Sequence, residues 1–251
     1  MDQARQSDFE EAGPAAPALG EGEVHVWRLL LEQPSSRFDE LRRILDQEEQ
    51  GRADRFRFDI HRQRYIAAHA GMRLILSRYL KIQPQAIQFQ FTQYGKPGLT
   101  PGTNPAGIAF NLSHSHELGL IAVAQNRTLG VDIEQVRADL ADEKVARRFF
   151  SAREIEALLS LPPELQRVAF FNCWTRKEAY IKARGEGLSL PLDQFDVTLI
   201  PGEPAILLHT RPDPAQALQW KLYDLNPGSG YAAALAVEGF ARTLKCWQWL
   251  E

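Results

Sequence analysis

Hydrophobic and polar positions along this chain switch repeatedly between a period of two, expected of strands, and a period near 3.6, expected of helices. Val24 to Leu31 (VHVWRLLL) reads as a strand, followed by a charged helix near Phe38 to Gln50 and a longer one from about His61 to Lys81. Ala86 to Gln93 alternates as a strand does, and a stretch rich in Gly, Pro and Thr from Tyr94 to Gly107 then interrupts regular structure. Three short strands are expected at Ile108 to Leu112, Leu118 to Ala124 and Leu129 to Ile133, with polar turns around His114 and Asn126.

Ser151 followed by Glu154 has the form of a capping box, with Ile155, Leu158 and Leu159 supplying an apolar helix face. A second helix is expected from about Pro163 to Arg184, where Gly185 and Gly187 stop it. Strand-like segments follow at Phe195 to Ile200, Ala205 to His209, Leu218 to Leu225, Tyr231 to Val237 and Leu244 to Leu250. The pattern is α+β in both halves, without a sequence repeat that would prove duplication.

Composition narrows the function classes. The 251 residues suffice for a real hydrophobic core, and a formal net charge of -3 supplies no field suited to nucleic acid. Residues 1 to about 21, rich in Ala, Gly, Pro and acids, are expected to form a mobile tail. No signal peptide or membrane-spanning run is apparent, so a cytoplasmic protein without membrane association is expected. The two cysteines, Cys173 and Cys246, lie beside tryptophans and read as buried packing residues.

Two segments carry candidate chemistry. In Gly130-Val131-Asp132-Ile133-Glu134, a strand would project Asp132 and Glu134 to one side, with Val131 and Ile133 facing a core. Paired carboxylates suit magnesium, which takes few protein ligands and shares its remaining positions with water and substrate phosphates. A solvated edge strand accounts for the pair equally simply. In Trp174-Thr175-Arg176-Lys177-Glu178-Ala179-Tyr180-Ile181-Lys182, the spacing of four puts Trp174, Glu178 and Lys182 on one helix face. That stripe could bring a third carboxylate and an ammonium to a phosphate, or it could be an ordinary Glu-Lys pair in solvent.

These two segments, in this order, together with Gly95-Lys96-Pro97, Phe110-Asn111-Leu112-Ser113-His114-Ser115 and Gly187-Leu188-Ser189-Leu190-Pro191-Leu192, resemble the Sfp-type 4'-phosphopantetheinyl transferases. The likeness spans roughly residues 40 to 200. It implies a pseudo-twofold pair of similar α+β subdomains with coenzyme A in the cleft between them. The expected division is a flexible tail over 1–22, an N-terminal subdomain over 23–126 and a C-terminal subdomain over 127–251 carrying the metal site. The resemblance further implies Mg2+ on Asp132, Glu134 and Glu178, with Lys182 at the reacting phosphate and Glu178 as the base. Arg64, Lys96, Ser113 and His114 are then expected against the nucleotide part of coenzyme A. Arg52 and Arg55 are weaker candidates, explained as well by an exposed basic helix face.

The implied partners are apo acyl or peptidyl carrier protein domains, and the two-half plan makes a monomer sufficient. Val145 to Phe150 (VARRFF) is the candidate docking segment for a carrier, although both phenylalanines could belong to the core. The alternative from another class is a non-catalytic module that binds coenzyme A or a carrier protein. A histidine-based metal hydrolase would rest on six scattered histidines, of which only His114 and His116 are close in sequence.

Overall fold

The computed structural model describes residues 8–11, 18–137 and 143–250. In chain order the strands are β1 (Glu10–Glu11), β2 (Glu23–Leu30), β3 (Phe89–Phe91), β4 (Pro97–Leu99), β5 (Ile108–Ser115), β6 (Leu118–Gln125), β7 (Leu129–Gln135), β8 (Phe195–Val197), β9 (Leu207–Thr210), β10 (Trp220–Leu225), β11 (Tyr231–Glu238) and β12 (Thr243–Gln248). The principal helices are α1 (Phe38–Ile44), α2 (Gln47–Asp54), α3 (Asp59–Leu80), α4 (Glu143–Phe149), α5 (Ala152–Leu159) and α6 (Pro163–Arg184). A five-stranded sheet runs β1-β12-β2-β6-β5, and a three-stranded antiparallel sheet runs β10-β11-β7.

The period of two explains how these layers stack. On β2, Trp27 and Leu29 face the core beneath α3, while Val24 and Val26 face the opposite way, into a core shared with the second sheet. On β11, Ala232, Ala234 and Ala236 face α6, and Ala233, Leu235 and Val237 face the shared core. Both sheets are therefore covered on two faces, which is why β6 and β11 are almost continuously apolar. The order of layers is α3, five-stranded sheet, three-stranded sheet, α6. Each half thus sets a helix of 22 residues across a sheet, the plan that the resemblance implied.

Several expectations hold closely. Ser151 and Glu154 form the capping box, α6 ends where Gly185 adopts φ 68°, and Cys173 and Cys246 are free and buried. Others change. The helix expected over Phe38 to Gln50 is two helices, because Leu45 is extended and Asp46 starts α2 with its own capping box. His114 lies within β5, and the turn is made by His116 at φ 52°. Within the segment expected to be a mobile tail, β1 pairs in parallel with β12 and Leu19 packs on the first core. The last strand, β12, pairs with β2, so the end of the chain completes the N-terminal sheet.

The layer that matters most for the site is α6 on β7. A Cβ built on Gly130 would lie 2.3 Å from both the carbonyl oxygen of Ala179 and the amide nitrogen of Ala183. Only a glycine lets the helix backbone approach this strand so closely. Gly130→Ala should therefore lower stability by about 1–3 kcal/mol, the usual cost of overpacking, read as a lower urea midpoint. An unchanged midpoint would show that the helix shifts without cost.

Candidate active site

The site begins where strands of the two halves run side by side. Along β5 the side chains of Asn111, Ser113 and Ser115 alternate toward β7. Asn111 Oδ1 accepts from the Val131 amide at 2.8 Å, Ser113 Oγ donates to Asp132 Oδ1 at 2.9 Å, and Ser115 Oγ donates to Glu134 Oε2 at 2.9 Å and accepts from the Gln135 amide at 3.1 Å. Side chains thus take the place of a backbone ladder between these strands. The acidic pair shares a face, as the alternation required. Leu129, Val131 and Ile133 enter the shared core, so Asp132 and Glu134 are turned toward α6.

Helix α6 is buried on most sides, and Trp174, Glu178 and Lys182 form the stripe that retains access to solvent. Lys182 Nζ donates to Asp132 Oδ1 at 2.5 Å and to Ser113 Oγ at 2.9 Å. Trp174 packs edge-on against Phe149, with ring centroids 5.6 Å apart. The neighbouring Lys177 points elsewhere. It is wholly buried, donates to the carbonyls of Leu192 and Phe195 at 2.6 Å each, and pairs with Glu154 at 2.8 Å. The two lysines of the motif divide between architecture and site.

Burial drives the electrostatics. It is the largest cause raising the pKa values of Asp132, Glu134 and Glu178. Asp132 also raises the values of the two glutamates, and Lys182 works against all three shifts. Glu178 is pushed up to about 7. Asp132 Oδ2 is buried without a hydrogen-bond partner. Among the described residues, no group of three or more His, Cys, Asp or Glu is drawn together closely enough to hold a metal ion as it stands. The ammonium of Lys182 is the cation paired with Asp132 here.

A pocket of about 390 Å³ opens at the junction, lined by Lys96, Asn111, Leu112, Glu178 and Lys182 among others. A second, of about 230 Å³, shares Gly95, Pro97, Asn111 and Leu112 with it and continues to Arg52, Tyr65 and His69. Together they form one groove from Glu178 and Lys182 toward α2 and α3.

The structure places the expected nucleotide contacts as follows. Ser113 is buried between Asp132 and Lys182. Arg64 pairs with Glu32 at 3.1 Å and keeps a buried Nε without a partner. Lys96 Nζ donates to the carbonyls of Leu129 and Ala183. His114 has much of its surface open, yet its pKa is lowered to about 4, first by the desolvating protein around it and then by His69, Lys182, Arg52 and Arg64.

Arg64, His114 and Lys182 therefore share one basic neighbourhood. His69, which sequence reading had passed over, joins them there. In the docking segment, Phe150 is core, Phe149 is partly buried against Trp174, and Arg147 pairs with Glu143. Arg148 is exposed above the Phe149 ring.

Two sequence profiles match successive parts of the chain. The sequence profile of the 4'-phosphopantetheinyl transferase superfamily matches residues 128–236, and that of the 4'-phosphopantetheinyl transferase N-terminal region matches 32–126. The 4'-phosphopantetheinyl transferase HetI of Nostoc sp. is 41% identical over 227 residues, covering 90% of this chain and 92% of its own. The chain belongs to the 4'-phosphopantetheinyl transferase family. Among other family members, Sfp of Bacillus subtilis is 31% identical over 218 residues, covering 86% of this chain and 92% of its own. The Gly130–Glu134 and Trp174–Lys182 segments lie within the superfamily match.

Because the pKa of Glu178 is raised from 4.5 to about 7, the folded chain holds a proton between those values that the unfolded chain has released. Stability contributed by that proton is present at low pH and is lost as pH rises through the window. In metal-free buffer, the unfolding midpoint of the wild type should fall more steeply over this range than that of Glu178→Gln. Parallel profiles would contradict the raised value.

Proposed function

We propose that this chain transfers the 4'-phosphopantetheine arm of coenzyme A to a serine hydroxyl of an apo acyl or peptidyl carrier protein. The observation that carries this reading is that Glu178 and Lys182 line an open groove between the two halves, with Lys182 paired to the buried Asp132 behind it. Family membership supplies the reaction class, and the residues supply roles.

Asp132, Glu134 and Glu178 would hold a magnesium ion. The donor chemistry fits, since all three offer hard oxygens and Asp132 Oδ2 is buried with no other partner. When bound, the ion supplies charge neutralisation to the phosphates. Glu178 lines the groove on the stripe beside Lys182, and on this reading it accepts the serine proton. The serine oxygen then bonds to the phosphorus bearing pantetheine as the bond to the departing 3',5'-ADP breaks. Lys182, at the groove wall, stabilises the charge on the departing phosphate.

Arg64, Arg52 and His114 would draw the nucleotide phosphates along the groove. The carrier approaches over α4, where Arg148 presents positive charge beside Phe149 and Trp174. The enzyme works as a monomer in the cytoplasm on this reading.

Incubation with coenzyme A, Mg2+ and a panel of apo acyl and peptidyl carriers should add the mass of one phosphopantetheine to at least one carrier. No mass gain across the panel would overturn the reading. Asp132→Asn should retain the fold and lose about 100-fold or more in kcat. A near-normal rate would remove Asp132 from the reaction.

A further inference from the structure

The β3–β4 hairpin belongs to the N-terminal half. Phe89 and Leu99 anchor it on the first core, and Phe89 packs against Phe110 at 5.5 Å. Its loop is tightly tied: Gly95 takes φ 82°, the Thr92 amide donates to the Lys96 carbonyl at 3.0 Å, and the Lys96 amide donates to Thr92 Oγ1 at 3.1 Å. From this anchored loop the Lys96 side chain crosses to the other half. Its Nζ donates to Leu129 O at 3.0 Å and to Ala183 O at 2.8 Å.

Both acceptors are informative. Ala183 O is among the last carbonyls of α6, which lack partners within the helix and carry the negative end of its dipole. Leu129 O is at the first residue of β7. One ammonium therefore joins the N-terminal hairpin, the start of the acidic strand and the end of the stripe-bearing helix. Ala183 directly follows Lys182, and Leu129 lies three residues before Asp132. The stem runs under the helix stop, since a Cβ on Gly185 would come within 3.0 Å of Lys96 Cδ. Burial lowers the pKa of this amine to about 8.

We infer that Lys96 is a positioning residue for the transfer: it clamps α6 and β7 to the N-terminal half so that Lys182 and Asp132 meet, and it is not a principal contact for the nucleotide. This rests on Asp132 and Lys182 forming the reaction centre. A nucleotide contact and a clamp differ in which kinetic quantity they govern. Loss of a ground-state contact weakens coenzyme A binding, whereas loss of alignment lowers kcat.

Lys96→Met keeps the stem against Gly185 and removes the ammonium that donates to both carbonyls. Lys96→Arg keeps a positive charge for any phosphate but cannot seat one ammonium between the two carbonyls. Each folded variant should show kcat reduced about tenfold or more, with the calorimetric Kd for coenzyme A within about threefold of the wild type. Amide exchange should be faster at the end of α6 and the start of β7.

Weaker coenzyme A binding by about tenfold with kcat retained would overturn the inference and make Lys96 a nucleotide contact. Unchanged kcat and exchange would overturn it as well. A wild type that transfers nothing would sink the proposed function, while the exchange comparison would still decide whether the clamp exists.

Discussion

Helix α6 lies on β7 at a separation that only a glycine strand position permits, and this contact sets Lys182 on Asp132 with Glu134 and Glu178 near enough to feel both charges. Without the approach at Gly130, the Trp174–Glu178–Lys182 stripe would stand away from Asp132 and Glu134. The layers behind them serve the same placement. The shared core takes Leu129, Val131 and Ile133, which leaves the acids no direction but toward the helix. The cost of confinement appears in the raised pKa values of all three carboxyls.

Other buried charges in the molecule are answered differently. Arg176 is held by Asp224 and the Thr198 carbonyl, and Arg73 by Glu49, Asp46 and two carbonyls. Lys177 is likewise satisfied by Glu154, Leu192 and Phe195. These networks tie loops to helices, and one-sided removal of any partner would leave an uncompensated charge. Asp132 differs because one of its buried oxygens is unpartnered and its own partner, Lys182, lines an open groove. That contrast sets Asp132 apart from structural ion pairs of similar composition.

Much of this was legible in the residues. The alternation in Gly130–Glu134 and the spacing of four in Trp174–Lys182 placed the acids and the stripe on the correct faces, and Gly185 marked the helix end. What stayed hidden was long-range. Pairing of β12 with β2 joins residues more than two hundred positions apart, and no local pattern encodes it. The break at Leu45–Asp46 depends on a cap competing with helix continuation. The resemblance set Lys96 against the nucleotide, and only the fold shows its ammonium donating to two backbone carbonyls. Asn111, Ser113 and Ser115 stood in the sequence at period two, yet their partners on β7 became evident only once β5 and β7 were seen side by side.

The central claim is that Asp132, Glu134 and Glu178 form a single divalent-cation site once the nucleotide is present. Manganese binding followed by electron paramagnetic resonance, with coenzyme A at saturation, tests it most directly. The account predicts one tightly bound ion per chain in the wild type and its loss in Asp132→Asn. An absence of bound ion in the wild type, or undiminished binding in the variant, would contradict it.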